Sequence, residues 1–135
     1  MIDNIKKILE KKFIQILEHT PSACIVLVDK IGHWDISDFE IVWFNASAKR
    51  MLGKIISGGK VTTGSSKTQD EFVEHLQLLR QQVLEGRDGF IGPFVSAITD
   101  DQGQAIQITR YAMYLGEAEP GLPTFLSIAH SNRAD

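Results

Sequence analysis

The stretch EIVWFNASAKRMLG, residues 40–53, changes period in its middle. Its first half alternates as a β-strand does. Its second half spaces its apolar residues as a helix does. The two halves abut at Asn45, with no loop between them. Asn is a preferred N-cap, because its side-chain oxygen accepts from the free N–H groups of the next turn. The spacing therefore predicts a strand over EIVWFN, a helix over ASAKRML, and a stop at Gly53 as the residue past the helix end.

Upstream, ACIVLVD at 23–29 is a short, β-branched, continuous apolar run and predicts a buried strand. KIGHWDISDF at 30–39 reads as an irregular connection. Before it, Ile2, Ile5, Leu9, Phe13, Ile16 and Leu17 recur at helical spacing with lysines between them, an amphipathic helix over 2–18. Thr20-Pro21 ends it, since the residue before proline avoids helical geometry.

Downstream, residues 53–68 are rich in Gly, Ser and Thr and predict a loop. QDEFVEHLQLLRQQVLEG follows as a long helix with Phe72, Leu76, Leu79 and Val83 on its apolar face and Gly86 at its end. The last third reads as three strands, at 89–99, 104–115 and 125–131. Gly103 supplies the turn between the first two, and GEAEPGLPT is an exposed loop between the others.

The chain has 135 residues, 43% of them hydrophobic and 23% charged, with a formal charge of -3. One globular domain follows. The balance excludes the basic footprint of a nucleic-acid binder. Lys6, Lys7, Lys11 and Lys12 form the basic cluster, but acidic residues interrupt it and it reads as a solvated helix face. Cys24 is the single cysteine, so no disulfide forms within the chain. No segment has the apolar length of a membrane span, and no signal peptide is evident, so a cytoplasmic location without membrane insertion is expected. The elements give an α+β architecture: a five-stranded antiparallel sheet with helices on one face, plus the N-terminal amphipathic helix.

This order of elements resembles the PAS domain, a sensory module of bacterial signalling proteins. ILEHTPSACIVLVD resembles the family's entry into its first strand. EIVWFNASAKRMLG resembles its second strand and following helix, ITDDQGQAIQI a hairpin of its later strands, and PTFLSIAHS its last strand. The likeness covers about residues 18 to 131. It implies a helix at 1–19 that mediates dimerisation, a sensory domain at 20–131, and at 132–135 an exit toward an output module. It also implies a pocket between sheet and helices, filled in the family by haem, flavin, small carboxylates or side chains alone.

His75 then stands where haem-binding relatives carry their proximal ligand, and a neutral imidazole is a good iron ligand. Leu76 and Leu78 replace the Asp and Tyr that tend to follow such a histidine. Adduct-forming flavin chemistry needs a thiol in the middle segment, where this chain has none. Cys24 reads as a small buried hydrophobe. Gly53 and Gly58 have the spacing of a phosphate loop, but Gly59 and Val61 stand where Lys and Ser or Thr are required.

Trp34 and Trp43 read as packing residues. Alternation leaves open whether Tyr111, Met113 and Leu115 or Ile106, Ile108 and Ala112 face the interior. Arg110 and Tyr111 lie on opposite faces. Burial of a charge disfavours an inward Arg110, but one so placed suits an anionic ligand. The four histidines show no metal-ligand spacing.

The expected function is a non-enzymatic PAS sensor and dimerisation module binding a small ligand or partner. Asn45, His75, Arg110 and Tyr111 are its candidate binding residues, and Ile5, Leu9, Phe13 and Ile16 its homodimer interface. One alternative is a haem-based gas or redox sensor built on His75. The other is a small α+β enzyme.

Overall fold

The computed structural model describes residues 2–34, 38–56, 66–99 and 103–132, and their side chains except those of 6, 9, 52–56, 66–70, 98, 99 and 118. The elements run α1 (Ile2–His19), β1 (Ala23–Asp29), β2 (Phe39–Phe44), α2 (Ala46–Ile56), α3 (Ser66–Leu84), β3 (Phe90–Thr99), β4 (Ala105–Glu119) and β5 (Leu122–Ser131). The strands form one antiparallel sheet in the order β2-β1-β5-β4-β3. The last strand therefore lies at the centre, hydrogen-bonded to the first on one side and to β4 on the other. α2 packs on β1 and β2 and α3 on β3 and β4, while α1 meets the rest mainly through α2.

The expected α+β architecture is present, with three corrections. α2 runs through Gly53 to Ile56. An interior glycine weakens a helix by only about 1 kcal/mol. It ends one where its φ turns positive, as at Gly86 with φ 77. There the N–H of Arg87 reaches Gln82 O and that of Gly86 reaches Val83 O, satisfying the last carbonyls of α3. Of the loop expected over 53–68, residues 53–56 and 66–68 are helical. Residues 57–65, with Gly58, Gly59, Lys60 and Val61, lie outside those described. The second correction is GEAEPGLPT, which is no open loop. β4 continues to Glu119 and β5 begins at Leu122. Pro120 presets the turn, Gly121 takes φ 81, and the Gly121 N–H donates to Glu117 Oε2 at 3.0 Å. The third is small: Phe39, placed in the connection, opens β2 and is fully buried.

Among the described residues, two apolar clusters fill the covered face. Leu27, Trp34, Phe39, Leu76, Leu79, Ile91 and Phe125 make the larger. Each buried leucine of α3 contributes about 1.5–3 kcal/mol of transfer free energy. Ala23, Ala48, Ile106, Ile108 and Ala129 make the smaller, where the alanines let α2 approach the sheet closely. Trp34 holds a positive φ of 58. The buried Asp29 carboxylate sustains it by accepting from the N–H groups of Ile31, Gly32 and Trp34 at 3.1, 2.8 and 2.8 Å. Trp34 packs edge-on against Phe125 at 4.7 Å, a core residue as expected.

Candidate functional site

The site begins with the pleat of β4. Arg110 pairs with Phe94 on β3 and Ala129 on β5. Ile106 and Ile108, which share its face, are buried. Arg110 is therefore the residue of the Arg110–Tyr111 pair that points under the helices. The α3 spacing supplies what it meets: Phe72, His75, Leu76 and Leu79 project from one face. The Arg110 guanidinium lies over the Phe72 ring, 4.3 Å from its centroid, a cation–π contact that strengthens as water is excluded. Its Nη2 is hydrogen-bonded to His75 Nδ1. The imidazole stacks on Phe94, with ring centroids 3.8 Å apart and planes inclined by 12°.

Withdrawal from water lowers the Arg110 pKa to about 10, while Glu71 acts in the opposite sense. The side chain is still a cation at neutral pH. Among the described residues its guanidinium is in no ion pair. Burial lowers the His75 pKa below its ordinary value, and Arg110 lowers it further against a smaller effect of Glu71. His75 is thus neutral. A neutral imidazole that accepts at Nδ1 carries its proton on Nε2. That tautomer offers iron no lone pair at Nε2, and Nδ1 faces a cation, so this arrangement does not fit a haem ligand. Among the described residues no three of His, Cys, Asp and Glu gather as a metal site.

Two candidate residues are not brought here. Tyr111 lies on the opposite face of the sheet, beside Phe90 at 6.0 Å between ring centroids, as strand alternation requires. Asn45 is buried and fully committed within the protein. Its Oδ1 accepts from Cys24 N at 3.0 Å and Ala48 N at 2.9 Å. Its Nδ2 donates to Leu17 O at 2.6 Å and Ser22 O at 2.9 Å. The N-cap read from sequence is real. The same amide also ties the end of α1 and the start of β1 to α2, which leaves it nothing for a ligand.

Phe94, Phe72 and Glu71 complete the surroundings of Arg110 and were not legible as site residues. Ser96 was missed as well. It shares the covered face with Phe94, is 8% exposed, and its Oγ has no hydrogen-bond partner among the described residues. Counting by twos from Phe94 along β3 would have shown a hydroxyl between two apolar residues, Phe94 and Ile98.

The intended interface on α1 is open. Ile5, Phe13 and Ile16 are 49%, 49% and 63% exposed. The Leu9 side chain lies outside those described. Ile2, Ile8 and Ile14 are exposed too.

No protein-family model matches the chain, and no curated protein does. Solved structures do. The PAS domain of a protein from Colwellia psychrerythraea aligns with a TM-score of 0.61 at 9% identity, over 91% of this chain and 96% of that one. A light-oxygen-voltage domain studied with a flavin analogue aligns at 0.60 and 15%, over 92% and 87%. The PAS domain of an HTR-like protein from Haloarcula marismortui aligns at 0.50 and 17%, over 93% and 98%. The chain is folded as a PAS domain over nearly its whole length. Among the described residues no helix is long and apolar enough to cross a membrane.

Proposed function

We propose that the chain is a non-enzymatic sensory module of a signalling protein that holds a small organic anion against Arg110, beneath α3. The observation that carries this is the Arg110 guanidinium, a cation on the covered face of the sheet and in no ion pair among the described residues. Such a charge is expensive to withdraw from water, and an anion offsets that expense. Phe72 and His75 hold the group in place meanwhile. An anion competes with His75 Nδ1 for the guanidinium, so occupancy alters how α3 sits on β4. The neighbours' PAS and light-oxygen-voltage folds support a sensory reading by likeness of fold.

The partner is a second copy of the chain. α1 presents Ile5, Phe13 and Ile16 to solvent along one stripe, more apolar surface than an isolated helix keeps exposed. Asn45 joins the C-terminal end of α1 to α2, which gives a mechanical route between the covered face and the dimer helix.

Calorimetry of the whole chain with acetate, butyrate, benzoate and phosphate tests the anion site. Binding tighter than about 10 mM by at least one of them, lost in Arg110→Gln, is expected. Binding by none, or equal binding to the variant, overturns it. Added haem is expected to give no Soret band that depends on His75; a sharp band abolished in His75→Ala would replace this reading with haem sensing.

A further inference from the structure

The Ser96 hydroxyl is buried on the same face of the sheet as Arg110, without a partner among the described residues. An orphaned buried hydroxyl is unfavourable, and in native structures such a group calls for an explanation. Its position supplies one. Ser96 pairs with Ile108 and Phe94 pairs with Arg110. Ser96 is therefore the diagonal neighbour of Arg110, roughly 7–8 Å away along the sheet. The side chains between and around them are apolar: Phe94, Ile106 and Ile108. The covered face thus carries the Arg110 cation and, across hydrocarbon on β3, a buried hydroxyl without a partner among the described residues; Ser127 and Ser131 of β5 share the face opposite Ala112 and Ile108 but are not buried.

We infer that Ser96 is a specificity-determining residue of the Arg110 site, and that the ligand is a short organic monoanion with a neutral hydroxyl or carbonyl at its other end. This rests on the anion-binding reading above. The carboxylate meets Arg110 and the far polar group meets Ser96 Oγ. Charge decides for the monoanion. Arg110 is the one cation that the described residues place on this face. His75 beside it is neutral, and Glu71 adds negative potential. A hydroxyl can hydrogen-bond a second carboxylate but cannot neutralise it, so a dianion retains an uncompensated charge.

The test is calorimetry with the unmodified chain, using the ω-hydroxy acids from glycolate to 5-hydroxypentanoate, the unsubstituted acids of equal length, and succinate. One hydroxy acid is expected to bind about three- to tenfold tighter than its unsubstituted counterpart, as one neutral hydrogen bond allows. Succinate is expected to bind more weakly than either. Ser96→Ala removes the preference for the hydroxyl. If Arg110→Gln abolishes all binding while Ser96→Ala alters none of it, the role of Ser96 is wrong and the anion site stands. If Arg110→Gln changes nothing, the site itself is wrong. A second readout is the ligand-free melting temperature. An orphaned hydroxyl predicts that Ser96→Ala melts within about 1 °C of the parent or above it. A fall of several degrees would reveal a partner within the protein and sink the inference.

Discussion

The Arg110 guanidinium and the His75 imidazole meet across thirty-five positions of sequence, one from β4 and one from α3, with the histidine as acceptor. The contact depends on the ionisation of His75: its Nδ1 accepts only when the imidazole is neutral, and protonation would set two cations against each other. Below neutral pH the contact therefore responds through the histidine, while Arg110 loses its charge only in alkali, near pH 10.

Its consequence is a stability that falls in acid. The His75 pKa is lowered on folding, so between its folded value and the ordinary value of 6.5 the unfolded chain binds more protons. Stability contributed by the neutral imidazole is complete above about 6.5 and declines as pH falls through that value. His75→Gln keeps an acceptor for Arg110 but cannot titrate. Melting temperatures between pH 7.5 and 5.5 are expected to fall less steeply in this variant than in the parent. Parallel curves would show that His75 does not set the slope.

Asn45 is expected to be the most sensitive polar residue of the fold. Asn45→Ala removes four hydrogen bonds and leaves the carbonyls of Leu17 and Ser22 and the Cys24 N–H without their partner. Chemical denaturation should show a loss of about 2–4 kcal/mol. Asn45→Asp keeps the acceptor but loses the donor, and sets a charge against two carbonyl oxygens. It too should destabilise. An aspartate variant as stable as the parent would mean the Nδ2 contacts contribute nothing.

Gly92 governs how closely β3 approaches Arg110. Its φ is 117, and an added Cβ would lie 2.7 Å from the Arg110 carbonyl oxygen. Gly92→Ala must move the backbone that carries the guanidinium. A loss of about 2–4 kcal/mol is expected by denaturant titration, together with weaker anion binding. Unchanged affinity in a folded Gly92→Ala protein would separate the position of β3 from the site.

Cys24 should be inert in the native protein. It is buried in β1, and desolvation pushes its thiol pKa up. Alkylation by iodoacetamide near pH 7.5 is expected only as fast as the protein opens, and denaturant should accelerate it sharply. Rapid modification of the folded chain would contradict this burial.

The α1 stripe predicts self-association. Sedimentation equilibrium should show a reversible dimer that Phe13→Glu with Ile16→Glu returns to monomer, with the melting of the rest unchanged. A monomer at all concentrations in the parent would leave α1 to a different partner.

What the sequence determined by itself was local and periodic. The lysine-spaced stripe made α1, and Asn45 marked the strand-to-helix junction through its side-chain chemistry. Phe72, Leu76, Leu79 and Val83 fixed the buried face of α3, and Gly86 its end. These follow from 3.6- and 2-residue periods and from capping, which act within a few residues. Element ends were less legible: Gly53 looked like a stop, and the Pro120-Gly121 turn hid inside a polar stretch, because local propensities of about 1 kcal/mol yield to the packing around them. The tertiary structure alone decided which face of β4 is covered. Alternation says that Arg110 and Tyr111 oppose each other, but both registers satisfy it, and cheap burial argued for the tyrosine. Pairing with Ala129 and Phe94, and the Phe72 and His75 side chains of α3, settled the guanidinium inside. The same long-range pairing put Ser96 beside it and spent Asn45 on the backbone. Those contacts join residues far apart in the chain, and no short window of sequence contains them.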